Sequence, residues 1–376
     1  MTRQLALTVK ATRLCNLRCS YCDDWRAGPG NTMSFEVLAH LVHAACTDPH
    51  HDAVDFGWHG GEPLVLPIRF YETALELQAR YRRPGQLVRN SLQTNATLVT
   101  DEWARFLARE RFGVGVSVDG PREAHDRTRI RVDGSGSYDA VIEGLERLRA
   151  HGVDPGILLT VDRETVAAGA EHTLEVLVAL GARGVGFNAV RPPNSLPAGE
   201  AGDQYLSRAE MNAFLIELHR CWLDHGDPGL RIRELDSLVA QIRGGAGSTC
   251  TLAGDCVGTF FMVEPNGDVA HCARFLGDER YQFGSILTGD FTRIRRNVRL
   301  LERRAADAAA AEQRTGCEHF EVCHGGCPHQ RSLEERHDPG HRDECCGRGE
   351  LIEYLRDHVD RDQRRGVPVA LSGAGT

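Results

Sequence analysis

LALTVKATRLCNLRCSYC, residues 5–22, is a β-rich apolar run that empties into a loop carrying three cysteines at C-x3-C-x2-C spacing. Similar short runs recur as VDFGW (54–58), VRNSLQ (88–93), GVGVSV (113–118), GILLTV (156–161) and VGFNAV (185–190). Between them lie residues 34–46, 68–81, 100–110, 138–151 and 171–180, whose apolar positions follow the helical period. Thr100, followed by Asp101 and Glu102, has the chemistry of an N-cap, and Gly152 and Gly181 stand where helix C-caps belong. Six βα units with mostly apolar strands predict an α/β fold, a parallel sheet curled into a partial (β/α)6 TIM-like barrel with helices outside.

In such a fold the chemistry gathers in the loops after the strands. Here those loops read CNLRCSYC, HGGEP, QTN, SVDGP, TVD and NAVRP, so polar and glycine-rich residues converge on one mouth. At 376 residues the chain exceeds what one core usually organises. The expected division is a barrel over 1–215, a linker helix region over 216–247, and a cysteine-rich domain over 248–376 that closes with a helix near 351–359. A Pro- and Gly-rich stretch (192–202) and a helix-like segment (207–225) lead towards it.

Thirteen cysteines are unevenly spread: three in the first loop and eight between Cys250 and Cys346. Clustered cysteines in a reducing compartment are more often metal ligands than disulfides. Cys46 and Cys221, inside helix-like apolar patterns, read as small buried hydrophobes. A net charge of -9 argues against wholesale nucleic-acid binding, and the basic stretch 293–304 lacks interleaved aromatics and reads as a solvated helix face. No apolar run approaches the roughly 20 residues of a membrane span, and no secretory signal pattern opens the sequence. The expected location is cytoplasmic.

Three thiolates on one short loop can ligate three irons of a cubane cluster and leave the fourth iron open. A closed zinc site needs four ligands. Zinc at Cys15, Cys19 and Cys22 would therefore have to recruit His40 or His43. Ser117 and Asp119 of SVDGP are either polar contacts at the mouth or simply the turn leaving the strand.

The loop with Tyr21 before its last cysteine, together with Gly60-Gly61-Glu62-Pro63, resembles the radical S-adenosylmethionine (SAM) superfamily. SLQTNAT with Gln93, Thr94 and Asn95, and SVDGPREAHDRTR (117–129) followed by GSGSY, resemble the members that act on proteins and peptides, especially anaerobic sulfatase maturases and cyclophane-forming peptide maturases. The resemblance implies a 4Fe-4S cluster on Cys15, Cys19 and Cys22 whose open iron chelates SAM, and a 5'-deoxyadenosyl radical that abstracts a substrate hydrogen. It also implies SAM contacts from Tyr21, Gly60, Gly61, Glu62, Pro63, Ser117, Asp119 and Arg129, with Glu62 at the methionyl ammonium and Arg129 at the carboxylate.

FFMVEPNGDVAHC (260–272) reads as a hairpin turned by Pro-Asn-Gly and flanked by cysteines. The region resembles the SPASM domain with two auxiliary 4Fe-4S clusters, one implied on Cys250, Cys256, Cys272 and Cys327 and the other on Cys317, Cys323 and Cys345. A zinc-ribbon-like module is the alternative. Two departures stand out. Arg314 occupies the place of the first cysteine in the family's central C-x2-C-x5-C-x3-C, so the second cluster's fourth ligand is Cys346, a carboxylate, Arg314 itself, a small molecule or nothing. Ala273 stands where many sulfatase maturases carry an Asp proposed as a base, for which Asp255, Asp268, His271 or Glu264 are substitutes. The expected activity is oxidative peptide or protein modification of the crosslinking type, with flavodoxin or ferredoxin as electron donor. Formylglycine formation, dehydrogenation or epimerisation of a sugar or aminocyclitol, and a non-catalytic iron-sulfur scaffold are the alternatives.

Overall fold

The computed structural model describes residues 3–22, 24, 32–202, 205–338 and 340–364. Its six expected strands are β1 (Gln4–Thr12), β2 (Ala53–Gly60), β3 (Leu87–Thr94), β4 (Gly113–Ser117), β5 (Gly156–Val161) and β6 (Gly184–Ala189), each parallel to the next. The sheet does not end there. A two-residue β7 (Arg231–Ile232) extends it beyond β6. On the far side of β1 come β8 (Phe260–Val263), parallel to β1, then β9 (Asp268–Ala270) and β10 (Gln282–Ser285), both antiparallel to their neighbours. The order β10-β9-β8-β1-β2-β3-β4-β5-β6-β7 is one ten-stranded sheet.

The helices follow their strands as the period requires. α1 (Phe35–Cys46), α2 (Ile68–Tyr81) and α3 (Asp101–Arg109) succeed β1, β2 and β3. α4 (Arg122–Thr128) and α5 (Tyr138–Ala150) succeed β4, α6 (Arg163–Ala168) and α7 (Ala170–Ala179) succeed β5, and α8 (Arg208–His225) succeeds β6. Thr100 caps α3 by accepting from Trp103 N, and Gly152 and Gly181 adopt φ of 79° and 63° at the ends of α5 and α7. Ser207 and Glu210 form a reciprocal capping box on α8, which satisfies two N–H groups that a helix start leaves without partners. Leu5, Leu7 and Val9 of β1 are buried together with Phe56 and Trp58 of β2. Trp58, Phe70, Tyr71, Trp103 and Phe112 pack edge to face beneath the second and third units.

The C-terminal part builds outward from the same sheet. It adds α9 (Arg233–Ile242), α10 (Phe291–Ile294), α11 (Val298–Glu312), α12 (Phe320–Cys323), α13 (Pro328–His337) and α14 (Gly349–Arg364). Residue 215 falls inside α8, whose Asn212 donates to Gly347 O at 2.7 Å and whose Arg208 pairs with the buried Glu334 of α13 at 2.9 Å. Arg295 grips Asp48 with two bonds of 2.7 and 2.8 Å, tying α10 to the segment after α1. The basic stretch 293–304 runs across α10 and into α11, of which only Leu300 is buried. Cys46 is fully buried on α1, and Cys221 is half-buried on α8. Among the described residues no helix is long and apolar enough to cross a membrane.

Candidate active site and cluster ligands

The cysteine loop is stapled on both sides by backbone. Gly61 N donates to Thr12 O and Glu62 N to Leu14 O, both at 2.8 Å, so the GGEP segment runs along the chain entering the loop. Here the glycines are needed for the protein's own packing. A Cβ on Gly61 would lie 2.5 Å from the Leu14 carbonyl carbon and 2.7 Å from Arg13 O, and Gly60 sits at φ 125° against Thr12. Opposite, Arg18 N donates to Ile130 O at 2.7 Å and Ser20 N to Thr128 O at 2.9 Å, fixing the loop to the end of α4. Asn95 Nδ2 donates to Asn16 Oδ1 at 2.9 Å, so the QTN segment steadies the same loop from β3. Pro63 begins a short 3-10 turn, and its carbonyl accepts from Tyr71 O–H at 2.9 Å.

Glu62 is 1 % exposed yet well supplied with donors: Thr94 Oγ1 and Asn95 N at 2.7 Å and Leu64 N at 3.0 Å. Burial raises its pKa, and those hydrogen bonds only partly offset the rise. Asp119 is equally buried and acts as a knot. It accepts from Thr160 N at 2.9 Å, from Thr128 Oγ1 and from Tyr21 O–H, while Arg129 lies 3.5 Å away and also donates to the Tyr21 oxygen. Gln93 Nε2 donates to Ser117 Oγ at 3.0 Å.

These elements enclose a cavity of about 310 Å³. Its wall includes Cys15, Cys19, Tyr21, Cys22, Gly60, Gly61, Glu62, Ser117 and Arg129, so nine of the expected site residues meet there, and Pro63 and Asp119 stand behind it. Residues on or just after all six barrel strands, from Cys15 through Leu158 and Thr160 of β5 to Asn188 and Arg191, reach this one cavity, which requires the sheet to curl. Ala273, Arg274 and Leu276, just after Cys272, close the opposite side with His329. None of Asp255, Glu264, Asp268 and His271 lines it. Glu264 instead pairs with Arg13 at 2.5 Å, and His271 Nε2 lies 3.6 Å from Cys256 Sγ. The protonatable side chains other than thiols and phenol at the wall include Asp24, His59, Glu62 and His329, of which sequence reading singled out only Glu62. Lys10, fully buried in β1, is ion-paired with Asp24 and was equally silent in the sequence.

The thiols suit a cluster. Burial pushes Cys15 up to about 12 and Cys22 up to about 11 and also raises Cys19, so an empty loop keeps its protons and a bound metal would release them. Among the described residues, only Glu318, His319 and Glu353 bring three metal-ligand atoms within 4.8 Å of one another. Arg129, at the wall, keeps a buried Nε with no partner, a donor suited to an anionic ligand group.

Beyond the Ala273 wall, Cys327 stands close enough to Cys250, Cys256 and Cys272 to add to the rise that burial imposes on their thiols, and burial pushes Cys272 up to about 11. Cys317, Cys323, Cys345 and Cys346 form a second set.

Comparison with known proteins places this geometry. Residues 9–171 match the Radical SAM superfamily. The chain is 29% identical over 375 residues to the serine-type anaerobic sulfatase-maturating enzyme of Bacteroides thetaiotaomicron, covering 92% of this chain and 88% of that one. It is 31% identical over 272 residues to the serine-type enzyme of Klebsiella pneumoniae, covering 70% and 67%. Its fold is similar to that of anSMEcpe with bound AdoMet and the Kp18Cys peptide, with a TM-score of 0.83 and 25% identity over 96% of this chain and 99% of that one. The chain therefore belongs to the radical SAM superfamily, as an enzyme related over nearly its whole length to the anaerobic sulfatase-maturating enzymes.

Proposed function

We propose that this enzyme oxidises a side chain of a peptide or protein as sulfatase maturases do, acting on a serine or cysteine. The observation that carries this reading is the single cavity bounded on one side by Cys15, Cys19, Cys22 and Glu62 and on the other by the residues that follow Cys272. A substrate carbon held there lies between the two cysteine sets. The relatives support the choice, since they are named as maturases and one is bound to a peptide.

A reduced 4Fe-4S cluster with SAM supplies a 5'-deoxyadenosyl radical to such a site. Cys15, Cys19 and Cys22 would hold that cluster, and Cys250, Cys256, Cys272 and Cys327 an auxiliary one. In this reading Glu62 would accept from the methionyl ammonium, Arg129 would donate to the carboxylate, and Ser117 would meet the ribose or methionine. Tyr21 and Asp119 position Arg129. Oxidising a serine side chain to an aldehyde removes two hydrogens: one leaves as an atom to the radical, the other as a proton, and the remaining electron goes to the auxiliary side. A flavodoxin or ferredoxin would supply the reducing electron.

Ala273 favours a second reading. Small and uncharged at the cavity wall, it leaves room beside the reacting carbon for a second substrate side chain, as a crosslink requires. Both products of a serine peptide lose two hydrogens, but only the aldehyde reacts with a hydrazide. Anaerobic incubation with SAM, dithionite and serine or cysteine peptides should give deoxyadenosine together with a hydrazide-reactive product. Deoxyadenosine with a mass loss but no hydrazide adduct would replace the maturase reading by the crosslink. Deoxyadenosine coupled to a sugar and not to any peptide would end both.

A further inference from the structure

The second auxiliary set lacks the cysteine that the central motif would place at residue 314. Arg314 follows α11, its side chain is 4 % exposed, and Nη1 donates to Ala310 O at 2.5 Å. A guanidinium has five donors and no lone pair to offer a metal. A thiol must come from elsewhere, or one iron stays open.

Cys346 is such a thiol. It is 4 % exposed and belongs to the same buried core as Cys323, Val322, Leu351 and Ile352. Its sulfur shares hydrogen bonds with those of both Cys323 and Cys345, and Cys345 reaches Cys317 in turn, so four thiols form one chain of contacts. A Cβ built on Gly326 would meet the Cys346 Cβ at 3.3 Å, which sets Cys346 against the Gly325-Gly326 turn between Cys323 and Cys327. Cys46 supplies the contrast, since it is fully buried in α1 and only Arg83 is felt by its thiol.

We propose that Cys346 is the fourth ligand of the second auxiliary 4Fe-4S cluster, completing Cys317, Cys323 and Cys345 in place of the cysteine replaced by Arg314. Adjacent Cys345 and Cys346 then bind different irons of one cubane.

The test counts iron and reads spectra in the full chain carrying Cys15→Ala, Cys19→Ala and Cys22→Ala, so that only auxiliary clusters remain and SAM chemistry plays no part. Two cubanes give about eight irons per chain. Adding Cys346→Ala should lose one iron and produce a three-iron electron paramagnetic resonance signal on oxidation, or lose the second cluster altogether. Adding Arg314→Cys to that variant should restore about eight irons, because a thiol returns to the site. Should Cys346→Ala precipitate, Cys346→Ser keeps the volume and should shift the reduced cluster's g-values. Iron content and g-values unchanged in either variant would overturn the proposal, as would failure of Arg314→Cys to rescue, or only about four irons in the parent chain.

Discussion

Gly61→Ala is expected to damage the radical site without touching a ligand. The added methyl would sit 2.5 Å from the Leu14 carbonyl carbon and 2.7 Å from Arg13 O, where carbon contacts normally settle near 3.5 Å. The two backbones must therefore part by about 1 Å, the difference between those carbon separations. Leu14 precedes Cys15, and its carbonyl accepts the Glu62 N–H that aligns the acidic side chain, so thiol and carboxylate move together. Overpacking of this kind costs about 1–3 kcal/mol of stability, and a 1 Å misplacement at a reacting centre lowers rates by about 10²-fold. Deoxyadenosine formed per minute from SAM and dithionite, divided by iron content, reports the second effect. A urea titration reports the first. Gly184→Ala is the control, since nothing lies within 4 Å of its added methyl, and it should stay within about 0.5 kcal/mol of the parent. Parent-like rate and stability in Gly61→Ala would refute the claim that the GGEP strap sets the cysteine loop.

Asp119→Ala should strip Arg129 of its buried carboxylate and destabilise the fold by about 3–5 kcal/mol in denaturant titration, whereas Tyr21→Phe, which leaves that pair intact, should cost about 1–2 kcal/mol. Asp48→Asn weakens the Arg295 fork and should cost about 2 kcal/mol near neutral pH. Burial alone would raise the Asp48 pKa, but His51 and Arg295 outweigh it and hold it below the usual carboxylate range. The stabilisation is thus complete above the unfolded value of about 3.9 and fades as pH falls towards the folded one, so the melting-temperature gap between parent and variant should hold at pH 5–8 and close below pH 4. Ala273→Asp puts a carboxylate at the cavity wall beside Arg274, and with a serine peptide it should raise the hydrazide-reactive yield per deoxyadenosine. An unchanged ratio would remove position 273 from the proton's route.

The barrel was legible because its signals are local. Apolar strands alternate with amphipathic segments, and Thr100, Gly152 and Gly181 mark helix ends with single residues, so expected and observed limits agree within a few positions. Pairings between distant segments were not legible. FFMV reads as one arm of a hairpin, but nothing in its composition tells that it will lie parallel to β1 and carry the cysteine-rich part into the barrel's own sheet. Lys10 shows the same limit at the site, since a lysine inside an apolar run reads as an edge position until Asp24 is brought to it from a loop. The knot at Asp119 was half visible. SVDGP suggested a turn or a contact, and the residue serves as an anchor for Tyr21, for Thr128 and Arg129, and for Thr160, drawn from three separate segments.

The order of the cysteine sets along the cavity's far side follows from chain geometry. Ala273 lines the cavity and is bonded to Cys272, so the Cys272 set begins one residue from that cavity. Cys327 of that set and Cys323 of the next are four residues apart, which limits their Cα separation to about 15 Å even for a fully extended chain, and the turn between them is tightened by Gly325 and Gly326 at φ near 77°. On the proposed reading, an electron leaving the substrate carbon would therefore meet the Cys272 set first and the Cys323 set after it. The proton has no such path laid out by the sequence. Asp255, Glu264, Asp268 and His271 lie off the wall, and His329, which is on it, donates through Nε2 because Asn194 Oδ1, fixed by the amide's two bonds to Arg274 O and Leu276 O, can only accept. Its bare Nδ1 has no partner, but burial and the cations Arg191, Arg274 and Arg336 push its pKa down to about 2. A neutral imidazole so disfavoured as a base makes position 273, on the same wall, the place where a base can be added, which is what the Ala273→Asp variant tests.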